Sequence, residues 1–475
     1  MRFLLPILLT GCVLQAQAIP DRPEKLTFRQ LSYKAPRAAE HKVQLKNGIP
    51  VYLAEDPQSS FLRIRIGIRG GAFLDPVGKE GLARLLGLHL RQGGTRSLPA
   101  VEFDRSLDRM AAKMETSAGY ATVELRLQVM LKDAEVGVGL LLQALMEPAF
   151  EEARLDLGRK QLLSDLEKTN EDVGRLAEAH MGSLLYGDDR PRPTLSTLAG
   201  IRREDLVAFH ARILHPGNLV VSVSGGMNRR SLQDLLEQRL GKLCPGPTGQ
   251  RSPAIPTPRF KRKAALNLIQ REVTQSVVRL ALPGPRRSDP DWESAFAMNE
   301  ILGARLTAKI RVEQGLTYGI RCSLDEGAFG QGDWLCTFRT KNPSVARALR
   351  LVLAEIETLK NAPMAEAELE AVKEGIIQAY PAKWSNRQYR VDTFASDLLL
   401  GWGEDHDLDY RARIVAVTLA DVQKAARDYL DVSRLVVLVV GNLAEVEAGE
   451  RTNTSVALKD VLPLTIHRLN NPDSH

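Results

Sequence analysis

The feature that most constrains this chain is that it repeats itself. Residues 201–226 read IRREDLVAFHARILHPGNLVVSVSGG and residues 417–442 read VTLADVQKAARDYLDVSRLVVLVVGN. Laid together without a gap, Asp205 falls on Asp421, Leu214 on Leu430, Leu219 on Leu435, Val220 and Val221 on Val436 and Val437, and Gly225 on Gly441. Each copy is a short helical stretch, a turn and a β-branched run ending in Gly, which is the pattern of a helix feeding a buried strand. The offset is 421 − 205 = 216 positions in a chain of 475 residues. The chain is therefore two similar halves, each of a size that one domain can hold.

The join between them is visible. Residues 245–258 carry five prolines and two glycines in fourteen positions, so they make neither a helix nor a central strand and read as a semi-rigid linker. Within the first half the period of the apolar residues alternates. His41 to Leu53 reads as strand–turn–strand around Asn47-Gly48, and Phe61 to Ile68 alternates Leu and Ile with Arg and Gly as a strand does. Lys79 to Arg91 has leucines at helical spacing and Pro99 to Met114 reads as a second helix. A strand over Ala121 to Met130 is followed by helices over Glu135 to Met146, Glu151 to Thr169 and Val173 to Leu185. The expected fold class is α+β: two homologous halves, each a mostly antiparallel sheet with helices packed on one face. The boundaries read as a signal peptide at 1–18, a first domain at 19–244, a linker at 245–262, a second domain at 263–460 and a polar tail at 461–475.

The N-terminus sets the compartment. Arg2, the apolar run Phe3 to Val13 and Ala16-Gln17-Ala18 have the order of a secretory signal peptide cut before Ile19. Leu9-Thr10-Gly11-Cys12 also resembles a lipoprotein signal, which would anchor the chain at Cys12; the peptide before it would be very short, which favours Ala18. No later stretch reaches the roughly 20 apolar residues of a membrane helix. The expectation is a periplasmic or secreted protein. Of the remaining cysteines, Cys244, Cys322 and Cys336, none has metal-site spacing. Cys322 and Cys336 flank a Gly-rich turn, and two readings stand: a cross-hairpin disulfide, or two buried thiols. The net charge of +6 comes from intermixed Lys, Arg, Asp and Glu, and aromatics are 5%, so a nucleic-acid partner is not expected.

Gly78-Lys-Glu-Gly-Leu-Ala83 before an amphipathic helix, Gly93-Gly-Thr95, Leu185-Tyr-Gly187, His215-Pro-Gly-Asn218 and Arg311-Val-Glu-Gln-Gly-Leu-Thr-Tyr318 together resemble the insulinase/pitrilysin zinc peptidases, in the branch of mitochondrial processing peptidase. The likeness runs from Val43 to Asn442 and implies two homologous α+β halves. Active members carry H-x-x-E-H on the helix after the Gly-Leu-Ala segment: two His four apart share a helical face and bind zinc, and the Glu activates the water. On that pattern Arg84 stands at the first His, Gly87 at the Glu, Leu88 at the second His, and Asp165 at or near the downstream acidic ligand. Arg84 keeps its proton, Gly87 has no side chain and Leu88 has no lone pair. His89 is one position too far along, and His180, His210, His215 and His406 are scattered. No metal is expected in this chain. Arg84 and Asp165 either form an ion pair in the metal's place or stand as separately solvated charges.

In two-subunit relatives the inactive partner supplies an Arg and a Tyr that bind substrate, and the resemblance puts them at Arg311 and Tyr318, with Arg305 a lesser candidate. Both are donors of the kind that steady a developing oxyanion. The expected function is the non-catalytic subunit of a secreted two-subunit zinc metallopeptidase, with zinc in an H-x-x-E-H-bearing homologous partner and peptides as substrate. Two alternatives stand beside it. One is a stand-alone peptide-binding or scaffold protein, which has no need of Arg311 and Tyr318. The other is an active metallopeptidase, which needs a cluster of at least three His, Asp or Glu ligands.

Overall fold

The computed structural model describes residues 33–190, 192–243, 255–256, 260, 264–327, 332–450, 458–461 and 465–469. The segment read as a signal peptide, most of the linker, Cys12 and Cys244 lie outside them.

Two sheets of six strands carry the fold. The first contains β1 (Lys42–Gln44), β2 (Pro50–Glu55), β3 (Phe61–Arg69), β4 (Lys113–Ala118), β5 (Thr122–Met130) and β6 (Leu219–Gly225), in the order β1-β2-β6-β3-β5-β4. The second contains β7 (Ala265–Gln270), β8 (Gln275–Pro283), β9 (Ile320–Leu324), β10 (Asp333–Lys341), β11 (Val436–Gly441) and β12 (Thr465–Arg468), in the order β12-β7-β11-β8-β10-β9. The repeat visible in the sequence is thus a repeat of topology. β6 runs parallel to β2 and antiparallel to β3, and β11 runs parallel to β7 and antiparallel to β8. Every residue of β6 and of β11 is buried, which is why those two runs are continuously apolar or small rather than alternating.

The helices used below are α1 (Leu82–Gln92), α2 (Ala100–Arg109), α3 (Ala134–Met146), α4 (Glu152–Glu171), α5 (Val173–Tyr186), α6 (Arg203–Ile213), α7 (Trp292–Leu306), α8 (Val345–Asn361), α9 (Glu366–Ser385), α10 (Arg387–Leu400) and α11 (Leu419–Tyr429). The matched aspartates of the repeat have one job. Asp205 accepts the backbone N–H of Arg202 at 2.8 Å, and Asp421 accepts that of Thr418 at 2.9 Å, so each closes the first turn of α6 or α11.

A second repeat, not visible as sequence identity, joins the halves. In each half a twenty-residue helix stops and restarts: Asp172 accepts the N–H of Arg175 between α4 and α5, and Asn386 accepts that of Tyr389 between α9 and α10. The restarted helix then crosses to the other half. Leu176, Met181, Leu184 and Leu185 of α5 pack on Val277 of β8 and Leu438 and Val440 of β11. Phe394 of α10 stands 5.9 Å from the Tyr52 ring of β2, and Leu399 would lie 3.0 Å from a Cβ at Gly67 of β3, so the missing side chain there admits the helix. Each sheet therefore has its own helices on one face and a helix of the opposite half on part of the other. The sequence reading of helices on one face was incomplete in this respect.

Two boundaries are corrected. The helix expected over Pro99 to Met114 ends at Arg109; Ala111 takes φ +48°, and Lys113–Ala118 is the edge strand β4. The segment read as a polar tail contributes β12, which adds a parallel strand to β7.

Candidate functional site

The helix that would carry the metal ligands is set by the segment before it. Gly81 holds φ +102°, and a Cβ there would meet Leu198 at 2.6 Å, so the position requires Gly. The Asp75 carboxylate accepts the N–H groups of Gly81 at 2.8 Å and Ala83 at 2.9 Å, satisfying donors that the first turn leaves open. Burial raises the Asp75 carboxyl to about 6 against those hydrogen bonds, which hold it down. Leu82, Ala83, Leu85, Leu86 and Leu90 are buried in the first core.

On this fixed helix the ligand positions present nothing a zinc ion could use. Arg84 is exposed, and among the described residues it forms no ion pair with Asp165, which is half-buried. Gly87 lies against the edge strand, where its carbonyl accepts the Thr116 hydroxyl and a Cβ would be 3.4 Å from Ala118. Leu88 packs against the core. Among the described residues no group of three His, Cys, Asp or Glu side chains is placed to hold a metal ion. At these three positions the side chains, Arg84, Gly87 and Leu88, do not fit a zinc ion.

His89 is a core residue. It is 2% exposed, its ring lies 6.0 Å from that of Phe150, and neither ring nitrogen has a hydrogen-bond partner among the described residues. Burial, aided by Arg159 and Arg154, pushes its pKa from 6.5 down to about 4. The unfolded chain takes up this proton as pH falls below about 6.5, while the folded chain refuses it until about 4, so stability is full above that window and falls within it. The loss traceable to His89 reaches about 3 kcal/mol. In urea titrations at pH 7 and pH 4.5, His89→Leu is expected to show the shallower acid loss; an identical loss in both proteins contradicts the assignment. His210 is likewise built in, with Nε2 at 2.7 Å from the Leu145 carbonyl.

The second half presents the opposite picture. After α7 the chain widens into a π-helical turn, Thr307–Glu313, in which Gln314 N–H reaches the Lys309 carbonyl and Leu316 N–H the Ile310 carbonyl. Gly315 at φ +60° reverses the chain. The Thr340 hydroxyl of β10 donates to the Leu316 carbonyl at 2.7 Å, and the Thr317 hydroxyl donates to the Gly319 carbonyl at 2.8 Å. Held by this turn, the Arg311 guanidinium lies 5.4 Å from the centre of the Tyr318 ring. Tyr318 is 93% exposed and the neighbouring Val312 75%. π-Helical turns often mark functional sites, and an aromatic ring this exposed contributes nothing to the core. Arg305 is not part of this surface: its Nε and one terminal nitrogen grip Glu368 at 2.7 and 2.6 Å, an ion pair that ties α7 to α9.

Cys322 and Cys336 sit directly opposite each other on β9 and β10. Their Sγ atoms are 3.0 Å apart as free thiols, and burial pushes the Cys336 thiol up.

Sequence reasoning missed β4. It forms the outer edge of the first sheet and lies beside α1, where the Thr116 hydroxyl donates to the Gly87 carbonyl and Arg91 Nε to the Met114 carbonyl. Its only signal was the alternation of Met114 with polar neighbours, too short to separate from a helix end.

This fold, with Arg84, Gly87 and Leu88 on α1, is that of a peptidase-like protein, and sequence comparison gives the family. The model described as Insulinase (Peptidase family M16) matches residues 50–197, and that described as Peptidase M16 inactive domain matches residues 200–376. The chain belongs to the insulinase family, peptidase family M16. It is 23% identical over 411 residues to a Helicobacter pylori protein named non-peptidase homolog YmxG, covering 83% of this chain and 92% of that one. An uncharacterized zinc protease of Streptomyces coelicolor is 23% identical over 386 residues, covering 78% of this chain and 82% of that one. Among solved structures, a peptidase M16 inactive domain from Pseudomonas fluorescens superposes with TM-score 0.74 at 22% identity, over 84% of this chain and 97% of that one. The periplasmic protease PqqL of Escherichia coli superposes with TM-score 0.71 at 18% identity, over 90% of this chain and 49% of that longer one. At these identities the structural likeness shows the fold.

Proposed function

We propose that this chain is the non-catalytic subunit of a two-subunit zinc peptidase acting in the periplasm or outside the cell. It would pair with a homologous H-x-x-E-H-bearing subunit and supply Arg311 and Tyr318 to the peptide bound there. The observation that carries this reading is a contrast. Arg84, Gly87 and Leu88 remove every ligand from a helix that is otherwise well built, while Arg311 and Tyr318 stand together and exposed on a turn fixed from three sides. A guanidinium and a phenol can each donate to the carbonyl oxygen of a peptide as it gains negative charge, and neither needs a metal of its own. The edge strand β4 adds a second support, since a strand at a sheet edge can take up an extended peptide through its backbone, here beyond the Met114 carbonyl that Arg91 already holds. The Helicobacter relative's name as a non-peptidase homologue, and the periplasmic location in the name of the Escherichia coli structure, are consistent with this role.

The test is co-purification from the native host followed by a peptidase assay. The reading requires a homologous partner that holds zinc and whose activity depends on this chain. A scaffold role would leave Arg311 and Tyr318 without effect on any hydrolysis.

Secretion makes a separate prediction. In an oxidising compartment Cys322 and Cys336 should each lose a hydrogen to a disulfide oxidant and form one S–S bond across β9 and β10. Mass spectrometry of the chain isolated from the host with free thiols blocked is expected to show both cysteines protected until reductant is added. Blocking of both without reductant contradicts the bond and the compartment together.

A further inference from the structure

The face of the first sheet that is turned away from its own helices is polar, because β3 and β5 alternate. Leu62, Ile64, Ile66 and Ile68 of β3 enter the core, and Arg63 and Arg65 point the other way. Part of this face is covered by α10. Beyond it, next to β4, a pocket of about 210 Å³ opens.

The charges lining it divide into two rungs. On one rung Glu115, Arg126 and Arg65 are cross-strand neighbours; the two arginines are paired with Glu124, and Glu115 is exposed at the pocket. Arg65 donates to Glu124 at 2.5 Å and to Ser396 at 2.8 Å, and Arg126 donates to Glu124 at 2.9 Å. Asp392, at the wall formed by α10, accepts from Ser222 and from Gln388. The adjacent rung places Lys113, Gln128 and Arg63 side by side across β4, β5 and β3. Here the Gln128 carbonyl oxygen accepts Arg63 Nε at 2.9 Å, which fixes the guanidinium, and its terminal nitrogens have no partner among the described residues. Lys113 is exposed and makes no ion pair among them. The Gln128 amide nitrogen is a third donor. The nearly buried Arg65 also lines the pocket and keeps a buried Nε with no partner.

A fixed guanidinium, an ammonium and an amide N–H on one rung, with no acceptor on that rung beyond the Gln128 oxygen already used, match an anion with two oxygens. We propose that this pocket is a carboxylate-binding subsite that selects peptides bearing acidic side chains. The neighbouring open edge of β4 favours a peptide as the carrier, because a strand lying along it would set alternate side chains over this face. The inference rests on the reading that the chain binds peptides, and not on catalysis by a partner, so its test uses this chain alone.

The probes are a fluorescein-labelled peptide with Glu at alternate positions and its Gln counterpart, compared by anisotropy at low salt. The Glu peptide is expected to bind about three- to tenfold more tightly, the range for two half-exposed ion contacts. R63Q/K113Q is expected to abolish the difference by weakening the Glu peptide alone, while the remote pair R230Q/R239Q preserves it. Equal affinities in the wild type, or a preference unchanged in R63Q/K113Q, would overturn the subsite and leave the role of Arg311 and Tyr318 untouched. Displacement of the Glu peptide by an equal concentration of free glutarate would overturn the peptide assignment in favour of a small-anion site.

Discussion

Replacing Arg311 by Ala is expected to lower peptide hydrolysis by the assembled complex by about 10²-fold, mainly in kcat, as loss of one preorganised donor at a developing oxyanion does. The guanidinium stands over the Tyr318 ring, so the two act as one unit and their losses should not add. Tyr318→Phe keeps the ring under the guanidinium and removes one donor, and a loss of about tenfold is expected. Both side chains are exposed, so each variant should melt within about 0.5 kcal/mol of the parent. That pairing of results separates a functional surface from a structural one. Unchanged kcat in Arg311→Ala would remove the reason to regard the second half as part of a peptidase site, and would favour a scaffold.

The second large effect concerns the fold. Gly225 ends β6 at φ +148°, and a Cβ there would lie 2.3 Å from the Phe61 carbonyl oxygen and 2.9 Å from Leu62 Cα. Its repeat mate Gly441 ends β11, where a Cβ would lie 2.0 Å from the Ser276 hydroxyl, itself buried and donating to Asn342. Backbone cannot move aside as a flexible side chain can, so Gly225→Ala must shift β3 or β6 or strain itself. A loss of about 3–5 kcal/mol is expected, from overpacking and from backbone strain combined. Gly441→Ala should also lose stability, because the Ser276 hydroxyl must give up its hydrogen bond and the Ser276 Cβ, 2.9 Å away, must shift, but it carries no positive-φ strain. Urea denaturation followed by circular dichroism measures both. A Gly225→Ala variant within about 1 kcal/mol of the parent would contradict the close approach.

Much of this was legible in the sequence because it is carried by residues whose chemistry has few alternatives. The matched Asp205 and Asp421 are capping acids, the matched Gly225 and Gly441 admit close neighbours, backbone at the first and side chains at the second, and the β-branched runs before them are buried central strands. The degenerate helix was legible for a related reason: Arg84, Gly87 and Leu88 lack the lone pairs that zinc requires, whatever their surroundings. Less was legible where a feature depends on the other half of the chain. The crossing of α5 and α10 follows from one Asx-capped break in each half, and the faces these helices cover lie in the other half, far away in sequence. β4 was taken for a helix end because an edge strand with one polar face buries only Met114. With β4 unread, Lys113 could not be set beside Arg63, and the basic rung was invisible even though the alternation of β3 was plain. Arg305 stood in the sequence as a lesser candidate beside Arg311; its two contacts with Glu368 show that it is committed to packing.

The central claim is that this chain has no peptidase site of its own and completes one in a partner. The most direct test is to measure zinc content and peptide hydrolysis on the purified chain alone and again with its co-purified partner. The account predicts zinc far below one ion per chain and no hydrolysis in isolation, with both appearing in the complex. Stoichiometric zinc and hydrolysis by the isolated chain would contradict it, and would mean that a metal site lies away from Arg84, Gly87 and Leu88.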